Sequence, residues 1–226
     1  MEWHPDWLST ATEVLPRLRQ VLANLEPTFH LPGAAAVDEA FMRTHQVSAV
    51  LWDVDGTLTA YHDADVAAPA RATIEALALA GVPQAILSNC GETRFLQLAQ
   101  IFPTIPVFKA YRTGDHLLRR RLGSTEEWFA EGRGPVAPPR LRLEALRKPS
   151  AALVRLTLDR LPVPSPESAL MVGDQYVTDV AGANLAHIRS AKVPTLAPHT
   201  FPLALRALQI LERRLSRRSP SFDRVQ

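Results

Sequence analysis

Five short apolar runs, at 48–52, 84–87, 105–109, 169–172 and 192–196, alternate along this chain with helix-like stretches near 68–80, 92–101, 150–161, 178–187 and 203–217. That alternation is the strongest constraint on the fold. Parallel strands cannot be joined by tight turns and need crossover helices, so the pattern predicts an α/β domain with a doubly wound parallel sheet flanked by helices. The domain is expected over 45–217, after an N-terminal helical segment over 1–44 and before a frayed Arg-, Ser- and Pro-rich tail at 218–226. Within the N-terminal segment, Leu15, Leu18, Leu22 and Leu25 fall on one helical face, with Pro16 either starting this helix or breaking it from an earlier one. Trp3 and Trp7 extend the strip, which suits either domain packing or a membrane or partner surface. Between the third and fourth runs lies an insertion, 111–146, with Arg119, Arg120 and Arg121, then Trp128 and Phe129, then a Gly/Pro-rich stretch. Its composition predicts a loop with at most one short helix.

Composition narrows the class. Apolar residues at 46% and charged residues at 21% of 226 positions are enough for a buried core and argue against disorder. The lone Cys90 excludes an internal disulfide framework and any zinc site of several thiolates. No run is long and apolar enough to span a bilayer, and MEWHPDWLST has acidic residues and proline where a signal peptide needs a basic start, so a cytoplasmic location is expected. A net charge of +2 makes nucleic-acid binding by bulk electrostatics unexpected. Lysine occurs only at Lys109, Lys148 and Lys192, so the positive charge is nearly all arginine, the side chain shaped for bidentate contact with phosphate or carboxylate.

Chemistry concentrates where the runs end. The first leads directly into Asp53, Val54, Asp55, Gly56 and Thr57. The carboxyl end of a parallel strand opens onto the ligand crevice. A carboxylate there can attack phosphorus, and a second one two residues on can protonate the leaving oxygen and then activate water. The plain alternative is an Asp-Gly turn. The second run ends in Ser88 and Asn89, able to hydrogen-bond a phosphoryl oxygen or simply to cap the next helix. Lys148 precedes Pro149, a residue favoured at the first helical position, which would set an ammonium beside a helix N-terminus; a solvated Arg147–Lys148 pair is the bland reading. The fourth run ends in Gly173 and Asp174, with Asp179 five residues on. Such hard oxygen ligands suit Mg²⁺, although Asp179 can equally be an N-cap or a group that holds Asp174 in place.

Taken in order, D-x-D-G-T, an apolar strand ending in Ser, Lys, and G-D-x-x-x-x-D resemble the signature of the haloacid dehalogenase superfamily of phosphotransferases over roughly 45–200. The resemblance implies a Rossmann-like fold, Asp53 as nucleophile, Asp55 as acid and base, and Ser88, Asn89 and Lys148 as phosphoryl-binding groups. It also implies Mg²⁺ held by Asp53, Asp174 and the Asp55 main-chain carbonyl, with Asp179 a ligand or a support. Lys148-Pro149, Gly173-Asp174-Gln175, Thr178-Asp179-Val180, Gly182-Ala183-Asn184 and the segment 208–213 are similar to the YqeG-like branch, which includes phosphatidylglycerophosphate phosphatases. Gly56 and the long insertion depart from that branch's pattern.

Only 33 positions separate Asp55 from Ser88, and the later insertion has about 35 residues, so no large cap domain is expected and the site should be open. An open site suits a phosphate on a lipid or macromolecule, where the substrate itself helps to exclude water. The leading expectation is a Mg²⁺-dependent phosphomonoesterase at an anionic phospholipid surface, with peripheral contact at the inner membrane face. A soluble sugar-phosphate or nucleotide phosphatase and a non-catalytic anion-binding scaffold are the alternatives. Ala204, Leu208, Leu211 and Leu215 are expected to pack on the sheet and Arg206, Arg213, Arg214 and Arg217 to point outward, forming a basic surface with Arg119, Arg120 and Arg121.

Overall fold

The computed structural model describes residues 14–114, 116–132, 134–139 and 143–216. Trp3, Trp7, Arg217 and the tail at 218–226 lie outside them. Among the described residues the sheet has ten strands: β1 Phe29–His30, β2 Ala49–Trp52, β3 Gln84–Ile86, β4 Val107–Thr113, β5 His116–Leu122, β6 Glu126–Ala130, β7 Pro135–Val136, β8 Glu144–Leu146, β9 Ala169–Gly173 and β10 Arg189–Lys192. Their order is β1-β10-β9-β2-β3-β4-β5-β6-β7, parallel from β1 through β4 and antiparallel beyond, with β8 also paired to β4. The helices are α1 Leu18–Leu22, α2 Glu39–Thr44, α3 Ala68–Leu79, α4 Glu92–Ile101, α5 Ala151–Leu158, α6 Ala181–Leu185 and α7 Leu203–Ser216. A π-helical turn, Tyr176–Val180, leads into α6. None of the helices is long and apolar enough to cross a membrane among the described residues.

Successive side chains of a strand face opposite sides of the sheet, and both sides here are apolar because helices cover each. Val50 and Trp52 pack on one face with Ile74 and Leu77 of α3 and Phe95 and Leu98 of α4. Leu51, between them, packs on the other with Leu153 and Val154 of α5 and Ala183 of α6. Trp52 is fully buried, and its indole N–H donates to Gln84 Oε1 at 2.9 Å, while Gln84 Nε2 donates to the Ile74 carbonyl at 3.0 Å. The burial therefore leaves no unpaired polar atom on this pair.

Five expectations need correction. The insertion is not a loop: β4 runs past the end of β3 and supports an antiparallel extension of β5, β6 and β7, while β8 returns along β4 with Leu146 opposite Ala110. Its arginines do not form an open basic surface. Arg119 is buried, donates to the Leu156 carbonyl and lies over the Phe129 ring; Arg120 pairs with Glu92 and Glu126, and Arg121 with Glu127. The strand expected at 192–196 is β10, which ends at Lys192, because Pro194 has no N–H to pair and the chain has passed the sheet's edge. The N-terminal helix is five residues long and turns Val21 inward, with Leu25 buried just beyond its end and Leu15 and Leu18 exposed. α7 departs further, burying Gln209, Glu212 and Ser216 and exposing Leu203, Ile210 and Leu211.

Candidate active site

β2 and β9 are adjacent and parallel, with Trp52 opposite Val172, so the residues that follow them emerge side by side. The Asp53 amide still donates to the Val172 carbonyl at 2.9 Å, which fixes Asp53 at the sheet's carboxyl edge. Asp174 directly follows Gly173, the last residue of β9, and Asp179 returns from the π-helical turn. Oxygen atoms of Asp53, Asp174 and Asp179 all lie within 4.8 Å of one another, and all three residues are buried.

Lys148 comes from the β extension. β8 ends at Leu146, two residues before it, and Asn89 holds that point of the chain by a reciprocal pair: Lys148 N donates to Asn89 Oδ1 at 2.7 Å, and Asn89 Nδ2 donates to the Lys148 carbonyl at 2.9 Å. Asn89 thus commits its amide to the main chain of its neighbour. The Lys148 ammonium donates to Asp53 Oδ1 at 2.6 Å and Asp179 Oδ1 at 2.7 Å. The Lys148–Pro149 peptide is cis, and α5 starts at Ala151 with Ser150 as its N-cap, so Pro149 does not occupy the first helical position. Ser88 is half-buried and lines the same cavity.

Two glycines are required by close approach. Gly56 has φ of +90°, and a Cβ there would meet Asp174 Oδ2 at 2.8 Å and the Phe201 ring at 2.7 Å. At Gly173 a Cβ would meet the Asp179 carboxylate at 2.3 Å. Side chains at either place would force the carboxylates apart.

Charge is unbalanced within this cluster, where the Lys148 ammonium pairs with two of the three buried carboxylates, Asp53 and Asp179, and not with Asp174. Burial pushes Asp53 up to about 7, with Lys148 pulling it down and Asp179 pushing it up. Asp174 is raised well above the ordinary carboxyl range, first by burial and then by Asp53 and Asp179. Burial pulls Lys148 down, but Asp179 and Asp53 outweigh that and raise it. Asp174 Oδ1 is buried with no hydrogen-bond partner. An orphaned carboxylate oxygen beside two more carboxylates is the donor set a hard divalent cation fits, so Mg²⁺ is compatible with the residues present.

Asp55 stands apart from the three. Its Oδ1 accepts from Arg94 Nη2 at 2.7 Å and from the His62 amide at 2.9 Å. Arg94, from α4, is buried and donates also to the Asp63 carbonyl at 2.8 Å and to Gln97 at 2.8 Å. Sequence reasoning did not find Arg94, which falls in an ordinary amphipathic helix with no local mark. It also missed the inward side of α7. Gln209 Nε2 donates to Asp174 Oδ2 at 3.3 Å, and Glu212 Oε2 accepts from the Tyr176 amide at 3.1 Å. Burial pushes Glu212 up to about 7, against hydrogen bonds from the Val177 and Tyr176 amides that pull it down. The spacing of Gln209 and Glu212, one turn apart on one face, was the available signal.

The cavity at this edge has a volume of about 70 Å³ and is lined by Asp53, Asp55, Ser88 and Lys148, with Phe201, Leu205 and Leu208 on its apolar side. Such an arrangement can bind an anion between Lys148 and a cation and present a carboxylate to it.

Residues 145–195 match a family model described as HAD-hydrolase-like, a stretch that spans Lys148, Asp174 and Asp179 and supports the likeness to hydrolases of the haloacid dehalogenase superfamily. The α/β fold with its sheet between helices agrees with it. No curated protein matches the chain. Among solved structures, an uncharacterized protein from Listeria monocytogenes serotype 4b is 20% identical, covering 74% of this chain and 99% of its own, with a TM-score of 0.41. A second structure is 17% identical over 75% of this chain and 82% of its own, with a TM-score of 0.44. Likeness of that degree carries no functional argument.

Proposed function

We propose that this protein is a Mg²⁺-dependent phosphomonoesterase that works through a phosphorylated Asp53. The observation that carries this reading is the buried cluster of Asp53, Asp174 and Asp179 at the carboxyl ends of β2 and β9, with the Lys148 ammonium paired to Asp53 and Asp179. Asp53 and Asp174 would hold the metal, with the Asp55 main-chain carbonyl, and the ion would supply positive charge to the phosphoryl oxygens and favour the ionised form of Asp53. An Asp53 carboxylate oxygen attacks phosphorus as the ester P–O bond breaks, and the departing oxygen takes its proton from Asp55. Water then attacks the same phosphorus, Asp55 takes the proton, and the acyl-phosphate P–O bond breaks to release phosphate and restore Asp53. Arg94 and the His62 amide occupy Asp55 Oδ1, which leaves Oδ2 for the proton. Lys148 and Ser88 bind the phosphoryl oxygens, and Asp179 positions the Lys148 ammonium.

A phosphate on a lipid such as phosphatidylglycerophosphate is favoured over a soluble ester because Phe201, Leu205 and Leu208 line the same cavity as the reacting groups. The test is phosphate release from a panel of lipid, sugar and nucleotide monoesters. Release should require Mg²⁺, stop on chelation, and fall at least about a thousandfold in Asp53→Asn. Full activity under chelation contradicts the metal role. Binding of phosphate esters with no release from any would favour the anion-binding scaffold.

A further inference from the structure

Helical spacing puts Leu205, Gln209, Glu212 and Ser216 on one face of α7, and that face is turned to the body of the protein, with Leu205 half-buried and the other three buried. The stripe is mostly polar. Gln209 and Glu212 are 6% and 2% exposed, whereas Leu203, Ile210 and Leu211 are 77%, 52% and 51% exposed. Hydrophobic burial alone would rotate the helix the other way, because a polar side chain loses its hydration when buried and an apolar one gains by leaving water. What the stripe touches accounts for its orientation. Gln209 Nε2 donates to Asp174 Oδ2 at 3.3 Å, and Glu212 Oε2 accepts from the Tyr176 amide at 3.1 Å, which fastens the helix to the first residue of the π-helical turn. A packing rule broken in favour of contacts to one site points to a functional constraint.

We infer that Gln209 is a positioning residue that orients Asp174 for Mg²⁺, which makes α7 part of the site. This rests on the phosphatase reading, in which Asp174 holds the metal. A carboxylate can present either oxygen to a cation, and here the two differ. Oδ2 is bonded by Gln209 and lies so near Gly56 that a Cβ there would meet it at 2.8 Å, while Oδ1 is buried with no hydrogen-bond partner. Gln209 therefore holds Oδ2 and leaves Oδ1 for the ion. The Lys148 ammonium pairs with Asp53 and Asp179, whereas Asp174 is served by a neutral amide. An amide donates without adding a cation that would compete with Mg²⁺ for the carboxylate, and without adding a fourth negative charge to Asp53, Asp174 and Asp179.

The test is calorimetric titration of the full chain with Mg²⁺ alone, in the absence of substrate. Gln209→Met keeps the length of the side chain and removes the donor, and it should weaken Mg²⁺ binding about ten- to a hundredfold. Ile210→Gln, on the exposed side of the same helix, should bind Mg²⁺ as the wild type does, which separates loss of the bond from disturbance of the helix. In an Asp174→Ala background the Gln209→Met change should cost less than about a further twofold, because the group it acts through is gone. Gln209→Asn draws the amide back by one methylene and should also weaken binding, and it carries the test if Gln209→Met does not fold. Wild-type Mg²⁺ affinity in the folded Gln209 variant, or an equal loss in the Asp174→Ala background, overturns the inference and leaves the phosphatase reading standing. A wild type that binds no Mg²⁺ overturns both. The expected pattern of Mg²⁺ affinities without phosphate release from any monoester sinks the phosphatase reading alone.

Discussion

Arg94 shows how a side chain outside the motifs can decide what a motif residue does. Its guanidinium is buried, touches Asp55 at 2.7 Å and is tied to the Asp63 carbonyl and Gln97, so the Asp55 carboxylate is held by a group that is itself immobile. An acid and base must lie within reach of the oxygen it serves, and a shift of about 1 Å can cost about a hundredfold. Arg94→Met should therefore lower kcat by about ten- to a hundredfold with little change in KM, because Arg94 does not line the cavity. Arg94→Lys should recover part of the loss by restoring the charge without the fork. Steady-state kinetics on a soluble monoester check this, and an unchanged kcat in Arg94→Met would remove the positioning role.

Among the elements, those legible in the sequence were the ones with a strong local period. The runs at β2, β3, β4 and β9 and the helices α3 and α4 stand close to where alternation and helical spacing put them, and the carboxylates after β2 and β9 were visible because a motif sits on a strand end. The β extension was not legible. Its strands alternate weakly, and Arg119, Arg120 and Arg121 looked like a solvated basic run because their partners come from elsewhere: Leu156 of α5, Glu92 of α4, and Glu126 and Glu127 of β6. Yet this extension brings Lys148 to the site, through β8 and the Asn89 clamp. The period of α7 gave a helix with an apolar face but not the face that packs. Packing was decided by Asp174 and the Tyr176 amide, which require polar partners when buried.

For the whole molecule, the buried carboxylates tie stability to pH and, on the proposed reading, to Mg²⁺. A carboxyl whose pKa rises on folding keeps its proton in the native state at pH values where the unfolded chain has lost it, so that stability falls as pH rises through that window. Asp53, from 3.8 to about 7, and Glu212, from 4.5 to about 7, both act in this sense, and Asp174 shifts in the same direction. Lys148, raised by folding, contributes evenly across this range because both states keep it charged. Under chelation the melting temperature should therefore drop between pH 5.5 and pH 8, and Mg²⁺ should stabilise the protein more at pH 8, where its ligands are ionised. A melting temperature that rises over this interval under chelation would contradict the burial argument. The central claim is narrower: phosphate leaves the substrate on Asp53. Rapid acid quench during turnover, borohydride reduction of any acyl phosphate to the alcohol, and peptide mass spectrometry test it directly. The account predicts homoserine at position 53 in the wild type and none without substrate. Steady turnover with position 53 unmodified, or the reduced residue at any other carboxylate, would contradict it.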